Sequence, residues 1–212
     1  MRDWATILSQ LGVTGTNVAV WAPIFSKLMD AAFATDNEVA QFLAQVLHES
    51  GRLAALEENL NYSAAALQSV FGNRITADQA QQYGRVDGDH KASPQDIANI
   101  VYGGSWGQIN LGNMPGTSDG WNFRGSGLIQ ITGRDNFKAA TADTDFDFLS
   151  NPDHMRAPTV ETLSASINWW HRHVPAQVLT SVEAVRKRVN PGLIGLQDTV
   201  SLFQQATAVL AA

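Results

Sequence analysis

Apolar residues recur at helical spacing along most of this chain. Val39, Phe42, Leu43, Val46 and Leu47 fall at i, i+3, i+4, i+7 and i+8, the stripe of an amphipathic helix with one buried face. Thr35 or Asp36 stands where its N-cap belongs. Before it, Asn17 caps a run holding Val18, Val20, Trp21, Ile24, Phe25, Leu28 and Met29, with Pro23 early enough to be tolerated. Ser63 precedes and Gly72 follows the segment 64–71, a start-and-stop pair. Ser93-Pro94 opens a helix through Ile97, Ile100 and Val101, with proline at the first position. Further helices are expected over 135–142, 158–173, 183–189 and 197–210.

Residues 103–127 break the pattern with eight glycines, a proline and several Asn and Ser. A connection of that length is usually functional, and Trp106 and Trp121 argue for an ordered one. Leu128 to Thr132 reads as a short strand, with Gln130 and Thr132 on one face and the apolar residues on the other. No internal repeat or linker interrupts the chain. The expectation is a mainly α protein, with residues 1–212 forming a single domain.

Charge and composition narrow the partners. The chain has 14 Lys and Arg against 20 Asp and Glu, a formal net charge of −6. A nucleic-acid binder needs the opposite balance. Cysteine is absent, which excludes disulfides and thiolate metal sites. The first twelve residues are amphipathic, carry Asp3 and lack the apolar run of a secretory signal. No stretch approaches the roughly 20 apolar residues that span a bilayer, so stable membrane insertion is not expected.

Chemistry concentrates between residues 47 and 62. Glu49 ends an apolar helix, and Glu58 lies nine positions on in a polar segment. Glu49 falls at the flank of the stripe made by Phe42, Val46 and Leu47, with His48 toward the opposite side. An acid bordering an apolar surface holds its proton more tightly and can donate it, whereas a solvated Glu58 stays ionised and can accept one. Two carboxylates in unlike environments suit glycosidic bond hydrolysis. The alternative is a helix-end glutamate beside a solvated acidic pair, Glu57-Glu58.

Other candidates divide similarly. Thr132 is either a near-cap threonine or a hydroxyl that fixes an attacking water. Tyr62, Trp106, Trp121 and Phe123 lie in or beside polar, Gly-rich segments, where their faces can stack on sugar rings. Trp21, Trp169 and Trp170 belong to helical stripes and to the core. The run Arg186-Lys187-Arg188 reads as a solvated helix end helped by the dipole, or as a contact for anionic substrate or lipid. His48 has no second histidine three or four residues away, and His171 and His173 point to different sides of a helix, so no helical metal motif is present.

Four stretches together resemble glycoside hydrolase family 19, the chitinase-like enzymes, and look closest to its bacteriophage endolysin branch. They are Phe-Leu-Ala-Gln-Val-Leu-His-Glu-Ser-Gly (42–51), Glu-Asn-Leu-Asn-Tyr-Ser-Ala (58–64), Asp-Gly-Trp-Asn-Phe-Arg-Gly-Ser-Gly-Leu-Ile-Gln-Ile-Thr-Gly-Arg-Asp-Asn-Phe (119–137) and Val-Asn-Pro-Gly-Leu-Ile-Gly-Leu (189–196).

The resemblance implies a lysozyme-like helical fold with two lobes flanking a substrate cleft, and an inverting mechanism. Glu49 would match the general acid, Glu58 the general base and Thr132 the water-holding hydroxyl. Gln130, Asn136 and Asn190 match positions that hydrogen-bond the sugar. No metal or organic cofactor is implied. The expected activity is hydrolysis of peptidoglycan glycan strands by a monomer. It would reside in host cytoplasm and reach the periplasmic wall through a holin-type pore. A chitinase and a non-catalytic wall-binding module are the alternatives. Two departures bear on subsites: Ser126 stands where the family pattern has a second arginine, and Pro191 where glycine is typical.

Overall fold

The computed structural model describes residues 2–212. Helices dominate, and strand pairing among the described residues is confined to isolated bridges. The elements in chain order are α1 (Trp4–Gln10), α2 (Gly15–Ala32), α3 (Asp36–Glu49), α4 (Ala64–Phe71), α5 (Ala77–Tyr83) and α6 (Pro94–Val101). They continue with α7 (Gly104–Leu111), α8 (Asp119–Asn122), α9 (Arg134–Asp143), α10 (Val160–His173), α11 (Val182–Val189) and α12 (Leu196–Leu210). Short 3₁₀ turns cover Pro152–Arg156 and Ala176–Val178. Among the described residues no helix is long and apolar enough to cross a membrane.

Local chemistry explains most boundaries. The side chains of Thr35, Ser63, Thr159 and Ser181 each accept a backbone N–H in the first turn of the following helix, satisfying a donor that the helix cannot. Asn17 does not cap α2. The ladder already begins with Val18 N–H donating to the Thr14 carbonyl at 2.8 Å, which places Asn17 inside the first turn. The α5 helix went unread in the sequence; a reciprocal capping box between Thr76 and Gln79 starts it.

Helix α3 is the centre of the fold. Every residue from Val39 to Leu47 is buried, so the helix is enclosed all round and not merely striped. Its two buried glutamines are bonded. Gln41 donates to the Leu179 carbonyl, and Gln45 accepts from Arg186. The most extensive packing partner of α3 is α12.

The hydrophobic interior falls into two clusters. The larger holds Trp4, Trp21, Phe25, Phe42, Phe123, Phe137 and Trp170, with Trp169 packed partly buried against it. The smaller holds Leu60, Leu67, Phe71, Ile75, Ile97 and Val101, flanked by Tyr62, Tyr102 and Trp121. Phe42 to Leu47 of α3 contribute to the larger cluster, whereas Leu60 to Val101 supply the smaller one.

Two expectations are overturned. The stretch 103–127 is not a continuous loop, because α7 and α8 form within it; Gly112 then ends α7 in the left-handed region at φ +68°. Nor is 128–132 a strand. Gln130 has φ +55°, a conformation that no extended run tolerates, and the chain turns back so that Ser126 and Ile131 exchange backbone hydrogen bonds at 3.0 and 2.8 Å.

Candidate active site

Glu49 is the last residue of α3. Its Oε1 accepts from Arg186 Nη1 at 2.5 Å. Arg186 lies on α11 with its side chain 1% exposed, and it also donates to Gln45 and to the Ile194 carbonyl. The expected apolar border of Glu49 is therefore corrected: a sealed guanidinium stands against it. The expectation for Arg186 as part of a solvated helix end is corrected with it, while Lys187 and Arg188 are exposed. Sequence reasoning missed Arg186 because it grouped three adjacent cations that the helix sends to different sides.

The backbone turns sharply beyond Glu49. Gly51, Arg52 and Leu53 all have positive φ, at 55°, 59° and 64°. Left-handed backbone costs about 1–2 kcal/mol for each residue bearing a Cβ. The turn is held by Ser50 Oγ, which donates to the Val46 carbonyl and accepts from Leu53 N–H. His48 points away from Glu49 toward α12, where its Nδ1 lies 2.7 Å from Asp198 Oδ2; Arg52 bonds the other oxygen at 2.9 Å. Although partial burial of Asp198 acts the other way, those two partners hold its carboxyl below the usual carboxylate range.

Glu58 is held at both oxygens. Oε1 accepts from Gly125 N–H at 2.6 Å, and Oε2 accepts from the Tyr102 hydroxyl at 2.7 Å. Its own N–H donates to the Gly125 carbonyl at 3.0 Å. The solvated environment expected for this residue is overturned. Burial pushes its carboxyl above the ordinary value, against the opposing pull of Tyr102, Gly125, Arg124 and Arg156. Burial, with the Glu58 charge second, likewise raises the Tyr102 phenol, which therefore remains a donor through the working pH range. Its neighbour Glu57 is exposed and is paired with Arg124 at 2.5 Å.

The 123–136 segment supplies the polar ledge. Gly125 packs so closely that a Cβ there would meet Gln130 Oε1 at 3.0 Å and Glu58 Cβ at 3.2 Å. Gln130 and Glu58 thus flank the same backbone atom. Gln130 donates to the Gly127 carbonyl, Thr132 donates to the Gln130 carbonyl and Asn136 donates to the Thr132 carbonyl. Gln130, Thr132 and Asn136 are partly exposed, whereas Leu128, Ile129 and Ile131 are buried. These partly exposed polar side chains are presented by a turn and not by strand alternation. Ser126 is fully buried, with its hydroxyl donating to the Arg124 carbonyl.

The remaining candidates are placed as follows. Tyr62 is half-buried edge-on to Phe71, with its phenol raised by burial and by the Glu58 charge. Trp121 has one ring face covered by Arg124, whose guanidinium carbon lies 3.5 Å from the ring centroid. Asn190 ends α11, and its Oδ1 accepts from Gly192 N–H. Tyr102 drew no notice in the sequence beyond its place beside a Gly-rich segment, Arg124 entered only within the 119–137 stretch and Arg186 only as one of three adjacent cations. Among the described residues no cluster of three or more His, Cys, Asp or Glu could hold a metal ion.

Comparisons with known proteins give a consistent picture. A Haemophilus influenzae protein described as a glycosyl hydrolase family 19 domain-containing protein is 33% identical over 187 residues, spanning 87% of this chain and 86% of that protein. A solved bacterial family 19 chitinase aligns over 97% of this chain and 93% of its own, with a TM-score of 0.58 at 15% identity. A class IV chitinase from Zea mays aligns over 100% and 93%, with a TM-score of 0.59 at 15% identity. These two likenesses carry the fold. No protein-family model matches the chain.

Proposed function

This chain belongs to glycoside hydrolase family 19, and from that premise we propose that it is a peptidoglycan-degrading endolysin of bacteriophage type. A glycosidase is what the family and its fold indicate; the polymer and the biological setting are the proposal. The observation that carries the chemistry is the cradle of Glu58, a partly buried carboxylate with a donor on each oxygen and a raised pKa. Such a base takes a proton more readily than a solvated one.

In this reading Glu49 donates a proton to the glycosidic oxygen as its bond to the anomeric carbon breaks. Glu58 takes a proton from the water whose oxygen bonds to that carbon, and the configuration inverts. Such a mechanism needs the two carboxyl groups roughly 6.5–9.5 Å apart. Thr132 helps hold the water, while Gln130, Asn136, Asn190, Tyr62 and Trp121 take the sugars. The cleft would run between the bodies built on the two hydrophobic clusters. The enzyme acts as a monomer of one catalytic domain, is held in host cytoplasm and is admitted to the periplasm by a holin-type pore.

The choice of peptidoglycan rests on the sequence likeness to the endolysin branch. The chitinase reading draws on the solved chitinases that share the fold. Reducing-end release from purified sacculi and from chitin separates the two, and activity confined to chitin would overturn the substrate choice. Glu49→Gln is expected to abolish cleavage of either polymer with an unchanged helical circular dichroism spectrum. Retained cleavage by that variant removes Glu49 from the acid role.

A further inference from the structure

Tyr102 is the C-cap of α6, and its ring packs edge-on to Phe71 in the smaller cluster. Its hydroxyl ends on Glu58 Oε2. The carbonyl of the same residue accepts from Asn113 Nδ2 at 2.9 Å, while Asn113 Oδ1 accepts from Arg134 N–H at 2.9 Å. Asn113 is 1% exposed. One buried amide therefore uses both its ends, joining the backbone that carries Tyr102 to the start of α9, two residues beyond Thr132. Neighbouring α7 closes over this joint so tightly that a Cβ at Gly107 would lie 1.9 Å from the Tyr102 carbonyl oxygen.

We propose that Tyr102, anchored by Asn113, is a positioning residue for the base Glu58, and that Asn113 sets the base and the Thr132 hydroxyl in a common frame. This rests on the reading of Glu58 as the base. The geometry leaves few substitutes. Gly125 N–H occupies the other oxygen, so removing the phenol leaves Oε2 without its donor and lets the carboxylate swing about its Cγ–Cδ bond. The other charged and titratable groups near it are Arg124 and Arg156, which attract its ionised form, and the Tyr62 phenol. Arg124 is committed to Glu57 and to the Trp121 carbonyl, and Arg156 to Asp153 and the Asn122 carbonyl.

A side chain at position 113 must donate to one backbone and accept from another. The asparagine amide does both from separate atoms, its nitrogen donating and its oxygen accepting. Aspartate lacks the donor and would bury a charge, and leucine fills the space while offering neither function.

The test compares Tyr102→Phe and Asn113→Leu with Glu58→Gln, measuring kcat, KM and the pH profile of kcat on a soluble chitin oligosaccharide and on sacculi. Losing a donor to the ionised base raises its pKa, so the acid limb of Tyr102→Phe should move up by about one pH unit. Its kcat should fall about tenfold with KM little changed. Asn113→Leu should move both in the same direction. A purely structural role would lower the melting temperature and leave the acid limb in place. An inactive Glu58→Gln beside a Tyr102→Phe with the parent kcat and acid limb overturns the positioning role alone. An active Glu58→Gln removes the base assignment and this inference with it. Tyr102→Phe keeps the ring in its packing, so it tests the proposal even if Asn113→Leu does not fold.

Discussion

The guanidinium of Arg186 touches the carboxylate of Glu49 from inside the protein. Its side chain is sealed at 1% exposure while that of Glu49 is 18% exposed, so the pair faces solvent only on the acid's side. Arg186 also bonds Gln45 and the Ile194 carbonyl. It thereby ties α3, α11 and the 190–195 turn to one point beside the proposed acid.

Removing one member of a buried pair leaves the other uncompensated, at about 3–5 kcal/mol. Arg186→Leu is therefore expected to lose stability of that order and most of its activity. Urea denaturation checks the first and hydrolysis the second. Stability equal to the parent would show that the guanidinium does not hold these three elements together.

Gly125→Ala probes the base differently. The glycine has an ordinary φ, so the backbone accepts alanine, but the added methyl would press on Gln130 Oε1 at 3.0 Å and on Glu58 at 3.2–3.3 Å. Displacement of a reacting group by about 1 Å can cost about 10²-fold. A kcat loss of about tenfold or more is expected, with little change in the melting temperature. Parent-like kcat would mean that the ledge yields without moving the carboxylate.

Glu58 also has a pH signature in stability. Its folded pKa is raised above the 4.5 of the unconstrained group, burial being the largest cause. Between those two values the native state keeps a proton that the unfolded chain has released. Stability from this group is therefore full below the unfolded pKa and falls as pH rises through the folded one. Glu58→Gln mimics the neutral acid. It should melt no lower than the parent at pH 7, and any advantage should vanish below about pH 4. A variant less stable at pH 7 than at pH 4, relative to the parent, would contradict the sign.

Gly195 is a second glycine with a decisive neighbour. It sits at φ +80°, and a Cβ there would lie 2.0 Å from His48 Nε2. Alanine is strained by the backbone and also collides with the ring that Asp198 holds. A loss of about 1–3 kcal/mol is expected, together with weakened activity, because His48 precedes Glu49. Scanning calorimetry and the hydrolysis assay read both.

Much of the helical framework was legible in the chain itself. Caps at Thr35 and Ser63, the proline at the first position of α6 and the spacing of Val39 to Leu47 depend on interactions within a few residues, which sequence order preserves. The mainly α class and the family followed from runs of adjacent residues such as 42–51 and 119–137. Reading 128–132 as a strand failed because alternation looks the same whether the chain extends or folds back at Gln130.

The environments of the two carboxylates were decided elsewhere. Glu58 lies in a polar stretch of sequence, yet Tyr102 and Gly125, 44 and 67 positions away, enclose it. Glu49 follows an apolar helix, yet Arg186 reaches it from 137 positions away. Burial and ion pairing act through space with a reach of a few ångströms, so chain order carries almost no record of them. The residues available for the chemistry were set by the sequence; their charge states and partners were set by how the helices pack.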